Sequence, residues 1–185
     1  SETESWVARQ EKFGSLVTKF RSIPQPTIAA VNGAAAGGGM ALALACDTRI
    51  GSSKCRFNAA FIKIGMSSCD IGTSYLLPRA IGTTRAFEMM LTGRMVEADE
   101  AERIGLVMRL VEPDALLDAA TELARSIADN GRLGTWLTKR GMWANLEAGS
   151  MAAAIELENR TQILIRGTGS LEKMAIKRGF IKKDG

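Results

Sequence analysis

Three consecutive glycines form the first candidate for a binding or catalytic site in this chain. Gly37, Gly38 and Gly39 lie between two apolar segments. Glycine lets another group approach the backbone closely, and the first turn of a helix has N–H groups without intrahelical partners. Such N–H groups bind a phosphate, or an oxyanion that develops on a carbonyl. The alternative is that the glycines only allow a helix and a strand to pack closely.

Two known phosphate-binding motifs do not fit this glycine run. No Gly-Lys-Ser/Thr follows it, and the spacing from Gly33 to Gly37 is not that of a dinucleotide-binding fingerprint. Two interpretations of the glycine run therefore remain. It forms an oxyanion site, or it only allows close packing of a helix and a strand.

Asp70 is the second candidate for chemistry. It lies in a polar loop, Ser67–Tyr75, that leads into an apolar helix. A carboxylate in such a position can transfer a proton, but Asp is also a good helix N-cap. Cys69 precedes it without a cationic neighbour in sequence, which argues against a reactive thiol.

Composition excludes several classes of site. The 185 residues include no histidine, so this chain cannot supply a Ser-His-Asp triad or an imidazole metal ligand. The three cysteines form no CxxC motif, which predicts reduced thiols in the cytoplasm and no metal site. The net charge of +4 comes without a dense Lys/Arg run, so nucleic acid is not an expected partner.

The elements around the glycines are predicted to be central and buried. Residues 27–46 carry no charge. This uncharged stretch is about as long as a membrane-spanning helix. The glycines and the turn signal Asn32-Gly33 argue against one continuous helix, so no membrane contact is expected. We predict a strand over 27–31, a tight turn over 32–36 and a buried helix over 38–45.

The remaining pattern predicts an α/β part to about residue 112 and a helical part over 113–185. Predicted strands cover 47–51, 56–61 and 106–111, and residues 64–69 are expected to be a loop. The predicted helices cover 4–21, 72–80, 84–91, 97–103, 116–127, 133–146, 151–165 and 171–180. Ser150 is a plausible N-cap of the helix that follows it.

Four stretches of the sequence resemble the enoyl-CoA hydratase/isomerase (crotonase) family. The longest is Pro26–Gly39, followed by Ala45-Cys46-Asp47, and the others are Leu77–Gly82, Met90–Arg94 and Ala98–Val107. They occur in the family's order, and the match is colinear from about residue 23 to 180. The resemblance implies an α/β fold, a crotonase-like β-β-α spiral core over 1–112, with a C-terminal helical oligomerisation region over 113–185.

The resemblance also implies a ligand and a site. Family members bind acyl-CoA thioesters, need no metal or redox cofactor, and assemble as homotrimers or hexamers. The thioester oxygen would accept a hydrogen bond from Gly38 N–H, and Gly37 and Gly39 on either side of it would contact the substrate. Three apolar residues are expected to line an acyl pocket, with core packing as the alternative: Met40, Phe61 and Met66.

The basic C-terminal segment is a candidate for binding coenzyme A. Lys177 and Phe180 are the residues predicted to contact CoA, with Arg178, Lys182 and Lys183 adding positive charge for its phosphates. The alternative is a solvated helix end.

The sequence departs from the hydratase pattern at two positions. Ala41 and Phe61 stand where the resemblance places the two glutamates of hydratases, and neither side chain can deprotonate water. Asp70 partly compensates, because its segment resembles those around the aspartates of 4-chlorobenzoyl-CoA dehalogenases and dienoyl-CoA isomerases. Double-bond isomerisation by proton transfer through Asp70 is therefore the expected reaction.

Two alternative functions follow from the same residues. One is a CoA-thioester binder or assembly subunit without activity, and the other is a hydrolase or dehalogenase with Asp70 as nucleophile. The family usually has about a further third of its length upstream, including the second oxyanion N–H. We expect that segment to be truncated, cleaved or outside this sequence.

Overall fold

The structure, a computed structural model, describes residues 1–182. It divides into two compact units, residues 1–23 with 27–122, and residues 24–26 with the chain from 123 onward. Its mixed strands and helices, with helices alone after residue 112, confirm the predicted fold class. No helix within residues 1–182 has the length and apolar character needed to cross a bilayer.

The first unit begins with a long helix, α1 (Glu2–Ser22). Ser1 caps it by accepting a hydrogen bond from Glu4 N–H, while the Glu4 side chain accepts from the Ser1 backbone amine. This capping box stabilises the first turn. The helix ends before Pro24 and Pro26, because a residue preceding proline favours extended backbone.

Two small sheets follow α1 in the first unit. In the first sheet, β1 (Ile28–Val31) and β6 (Leu110–Val111) both pair in parallel with β3 (Thr48–Ser52). In the second, β4 (Arg56–Asn58) pairs in parallel with β2 (Ala34–Ala36) and antiparallel with β5 (Val96–Glu97). The helices between these strands are α2 (Gly38–Ala45), α3 (Thr73–Ile81), α4 (Thr83–Thr92) and α5 (Ala98–Arg103).

Three predicted elements need correction. The predicted turn over 32–36 contains β2, because Ala34–Ala36 pairs with β4. The predicted strand over 106–111 is reduced to β6, because Leu106 N–H and Val107 N–H both bond Ala101 O and continue the end of α5. The segment 56–61 is extended only over β4, and a 3-10 helix, Ala60–Ile64, follows it.

The central helix α2 is buried as predicted. Met40, Ala41 and Ala45 are completely inaccessible to solvent. The preceding strand β1 is less buried than expected, since Ala30 is exposed. Because α2 is surrounded, the position of its first N–H groups is fixed by the core.

Phe57 fills the centre of this core. Its side chain on β4 has no solvent exposure. We expect Phe57→Ala to lower the free energy of unfolding by about 3–5 kcal/mol, because it removes a buried ring and leaves a cavity. Urea denaturation would measure the change, and Phe180→Ala, at a residue that is 81% exposed, is the matched control. Equal losses in the two variants would contradict the prediction.

An ionic cluster joins α4 to α5. The Arg94 guanidinium donates two hydrogen bonds to Glu100 and one to Glu88, each at 2.7 Å. The hydrogen bonds from Arg94 lower the pKa of the Glu100 carboxyl below its ordinary value. The bidentate geometry holds the segment that connects the two helices in one arrangement.

The stabilisation from Glu100 is expected to depend on pH. A carboxyl whose native pKa is lowered stabilises the fold above its unfolded pKa, about 4.3 for Glu. That contribution is lost as the pH falls through the native pKa. Because both partners are partly exposed, Glu100→Gln should lower the free energy of unfolding by only about 0.5–1 kcal/mol at neutral pH. Denaturation at neutral and acidic pH checks this, and a difference that persists in acid would contradict it.

The second unit consists of helices. Its main elements are α7 (Arg132–Asn145), α8 (Met151–Arg166) and α9 (Ser170–Lys177), and α6 (Leu116–Ala128) ends within it. Ser150 caps α8 as predicted, by accepting a hydrogen bond from Ala153 N–H. The predicted last helix, 171–180, ends earlier, because Gly179 takes a left-handed backbone conformation (φ +75°).

Candidate functional site

The glycine run forms the N-terminal end of α2. Gly37 precedes the helix with φ +49°, a conformation that side chains other than glycine disfavour. A Cβ atom on Gly37 would lie 3.2 Å from the Phe61 ring, so glycine is also required by space. The Gly37 N–H is not available to a ligand, because it donates to Asn58 O at 3.0 Å.

Gly38 is the first residue of α2, as predicted. It is half-buried, and its N–H has no hydrogen-bond acceptor within residues 1–182. A Cβ on Gly38 would lie 3.6 Å from Ile71 Cδ1, whereas a Cβ on Gly39 would have no packing neighbour within 4 Å. An unpaired donor on a buried helix can bind an oxyanion.

The Met40 side chain is fully buried in the core, so its location fits the packing alternative.

Asp70 begins a tight turn rather than capping a helix. Thr73 N–H donates to Asp70 O at 2.8 Å, and the two central residues have positive φ, +36° at Ile71 and +84° at Gly72. Positive φ is common for glycine, but it is strained for a β-branched isoleucine. Gly72 occupies the N-cap of α3, without a side-chain hydrogen bond. The alternative role of Asp70 as an N-cap is therefore wrong.

The Asp70 carboxylate accepts two hydrogen bonds. Ile71 N–H donates to Oδ1 at 2.7 Å, and the Gln10 side-chain amide donates to the same oxygen. Sequence reasoning missed Gln10, which lies on α1, sixty positions away along the chain. No local pattern marks it, since a glutamine on an exposed helix face is ordinary.

Ile71 connects the two candidate groups. Its backbone N–H bonds the Asp70 carboxylate, while its side-chain Cδ1 packs beside Gly38. The strained turn therefore places a carboxylate one residue before the side chain that lies beside Gly38. Ile71 is thus the one residue that joins the surroundings of Asp70 to those of Gly38.

The two positions expected for hydratase glutamates are both apolar in the structure. Ala41 is fully buried in α2, and the Phe61 ring is half-buried against Gly37. Met66 is 51% exposed on the loop that follows Phe61, and its N–H donates to Phe61 O. Phe61 thus lies beside the glycine run.

An apolar cavity of about 200 Å³ opens beside the segment that precedes Asp70. Its wall includes Cys69 but none of Met40, Phe61 and Met66. The other lining residues are Ile62, Ser67, Ser68, Ser74, Pro78, Ala86, Phe87, Met90 and Leu91. The residues expected to line an acyl pocket therefore do not meet in this cavity.

The predicted CoA-binding residues lie in the second unit. The Lys177 ammonium forms an ion pair with Asp129, which Arg178 also contacts. These cations lower the pKa of the Asp129 carboxyl, mainly through the Lys177 hydrogen bond. Phe180 is 81% exposed beyond the end of α9, and Lys183 lies outside the described residues. Lys177 must therefore exchange or share its carboxylate partner to bind a phosphate.

The three cysteines differ in their accessibility. Cys69 is exposed, whereas Cys46 and Cys55 are buried, and all three are free thiols. Burial raises the pKa of the Cys55 thiol to about 11. We expect iodoacetamide to alkylate Cys69 alone in the native protein, because the thiolate is the reactive form. Peptide mass spectrometry checks this, with all three alkylated in denaturant as the control; native labelling of Cys55 at the same rate would contradict it.

Comparison with known proteins identifies similar chains. A sequence model of the family described as enoyl-CoA hydratase/isomerase matches residues 3–177. The chain is 50% identical over 156 residues to the probable enoyl-CoA hydratase EchA12 of Mycobacterium tuberculosis, covering 84% of this chain and 55% of the relative. It thus spans about half the length of the curated relatives named EchA12 that it matches.

Solved structures with the same fold agree with this match. A probable enoyl-CoA hydratase/isomerase from Mycobacterium abscessus is 42% identical with a TM-score of 0.92, covering 97% of this chain and 70% of that one. A structure described as a monofunctional enoyl CoA isomerase from M. smegmatis is 51% identical with a TM-score of 0.72, covering 77% and 67%. These matches confirm the fold that the resemblance implied.

Proposed function

The chain belongs to the enoyl-CoA hydratase/isomerase family, and we propose that it binds an acyl-CoA thioester and shifts a carbon–carbon double bond by proton transfer. In this reaction a carboxylate removes the proton from the carbon next to the thioester carbonyl. The electrons move onto the carbonyl oxygen as an enolate. The protonated carboxyl group then gives a proton to the far end of the former double bond, so the carboxylate is regenerated and no other reactant is consumed.

The observation that carries the proposal is the position of Ile71. Its side chain lies beside Gly38, and its N–H holds the carboxylate of Asp70. Asp70 is the proton-transfer group of the proposed reaction, and Gly38 N–H donates to the enolate oxygen. Fixed donors aimed at developing negative charge lower the barrier most in a water-poor site.

Isomerisation is favoured over hydration by the apolar residues near the glycine run. Ala41 and Phe61 offer no group that could orient or deprotonate a water molecule. One relative of known structure is described as a monofunctional enoyl CoA isomerase, which supports the same choice. Phe61 would instead exclude water from the enolate and contact the acyl group, together with Met66.

The partners of the proposed reaction follow from the family. Coenzyme A enters as part of the substrate, and the proposed chemistry uses no metal or redox cofactor. Lys177 and Phe180 are proposed to contact CoA, and the helical second unit is proposed to build a homotrimer or hexamer. Free thiols at all three cysteines support a location in the cytoplasm.

The test is incubation of the protein with a 3-enoyl-CoA ester in deuterated water. Isomerisation gives a 2-enoyl-CoA product without added water, and solvent deuterium enters when the carboxyl proton exchanges. Hydration would add the mass of one water molecule. Chromatography with mass spectrometry separates these outcomes, and a hydrated product alone, or unchanged substrate, would contradict the proposal.

A second candidate is a hydrolase in which Asp70 is the nucleophile. The observation that favours it is that one carboxylate oxygen of Asp70 has no hydrogen bond among the described residues. Attack on the thioester would form an aspartyl anhydride and release the CoA thiolate, and water would then cleave the anhydride. Rapid quenching with intact-mass measurement detects that intermediate, whereas isomerisation forms no covalent adduct.

A further inference from the structure

The two oxygens of the Asp70 carboxylate have different surroundings. Oδ1 accepts from Ile71 N–H and from the Gln10 amide, which fills both of its lone-pair positions. Oδ2 accepts no hydrogen bond in the described part of the chain. A carboxylate held by one oxygen has its other oxygen available in a defined direction.

The helix that carries Gln10 contacts the Asp70 segment at two further points. A Cβ on Gly72 would lie 3.3 Å from Val17 Cγ1, and the Arg21 guanidinium lies 5.9 Å from the centre of the Tyr75 ring. Residues 17 and 21 each lie within about 20° of residue 10 around the axis of α1, so the three share one face of the helix. Their partners follow in the same order, at 70, 72 and 75, so Gln10 is one contact of a continuous helix face.

We propose that Gln10 is a positioning residue, which holds Oδ1 of Asp70 so that Oδ2 is the oxygen that transfers the proton. The inference rests on the proposed function, since it assigns a role to Gln10 through Asp70. An amide suits this task because it donates a hydrogen bond without a charge. A lysine or arginine there would stabilise the ionised carboxylate strongly and weaken it as a base.

The inference predicts a specific kinetic pattern for Gln10→Ala. Loss of one hydrogen bond to a charged group should lower kcat by about tenfold, with KM nearly unchanged. Gln10→Glu should lower kcat at least as much, because it replaces the donating amide with a second carboxylate beside the first. Glu11→Ala, at an exposed residue on another face of α1, is the matched control.

A double-mutant cycle separates this inference from the proposed function. If Gln10 acts through Asp70, Gln10→Ala should have no further effect in the Asp70→Asn background. An equal tenfold loss in both backgrounds, or wild-type kinetics for Gln10→Ala, would overturn the role of Gln10 alone. Wild-type turnover in Asp70→Asn itself would overturn both. Carbon-13 NMR of the labelled Asp70 carboxyl in the intact protein gives a readout without turnover: Gln10→Ala should move the carboxyl resonance at neutral pH, and an unmoved resonance overturns the inference.

Discussion

Asp70→Asn is expected to lower turnover of an enoyl-CoA substrate by about 10²–10⁴-fold, the range typical of a lost general acid–base group. Asparagine has nearly the same shape, and its carbonyl oxygen can still accept from Ile71 N–H and Gln10. The turn and its contact with Gly38 should therefore persist. Steady-state kinetics with isothermal calorimetry of a CoA ester would measure the loss of kcat beside unchanged affinity.

Asp99→Asn is the matched control for this experiment. Asp99 is an exposed carboxylate in the first turn of α5, so its loss should leave turnover within about twofold. Wild-type turnover in Asp70→Asn would contradict proton transfer by Asp70. Binding of the CoA ester without turnover in the unmutated protein would instead favour the binder without activity.

The sequence was sufficient to predict the part of the site that local patterns determine. The helix over 38–45 has the same limits in the structure, where Gly37 precedes it with positive φ and Cys46 follows it with extended backbone. The strand Ala34–Ala36 could not be predicted in this way. Three alanines have no alternation and no β-branched residue, so that strand exists only through its pairing with Arg56–Asn58.

The turn and the hydrogen bonds around Asp70 could not be predicted either, because no local sequence pattern marks them. A polar residue before an apolar helix predicts an N-cap, but positive φ at Ile71 and Gly72 moves the cap two residues onward. Isoleucine is a poor residue for that conformation, so no turn signal marks it. The contact with Gln10 joins residues far apart in sequence. Strain at Ile71, which packs on Gly38, is the feature that the structure adds to the site.

Gly38→Pro is expected to lower kcat by about 10²–10³-fold, the loss typical of one missing oxyanion donor. Proline removes the N–H, which has no acceptor within residues 1–182. Gly38 is the first residue of α2, where proline is favourable because its fixed φ suits the helix and no intrahelical hydrogen bond is lost. The fold should therefore be retained, which circular dichroism and thermal unfolding would check.

Gly38→Ala is the matched control, because it keeps the N–H and changes only the side chain. Its Cβ would lie 3.6 Å from Ile71 Cδ1, an ordinary packing distance, so kcat should stay within about tenfold of the unmutated protein. A large loss in Gly38→Pro with a small loss in Gly38→Ala assigns the effect to the N–H. Equal losses would mean that space beside Ile71, rather than a hydrogen bond to the substrate, is what glycine provides at this position.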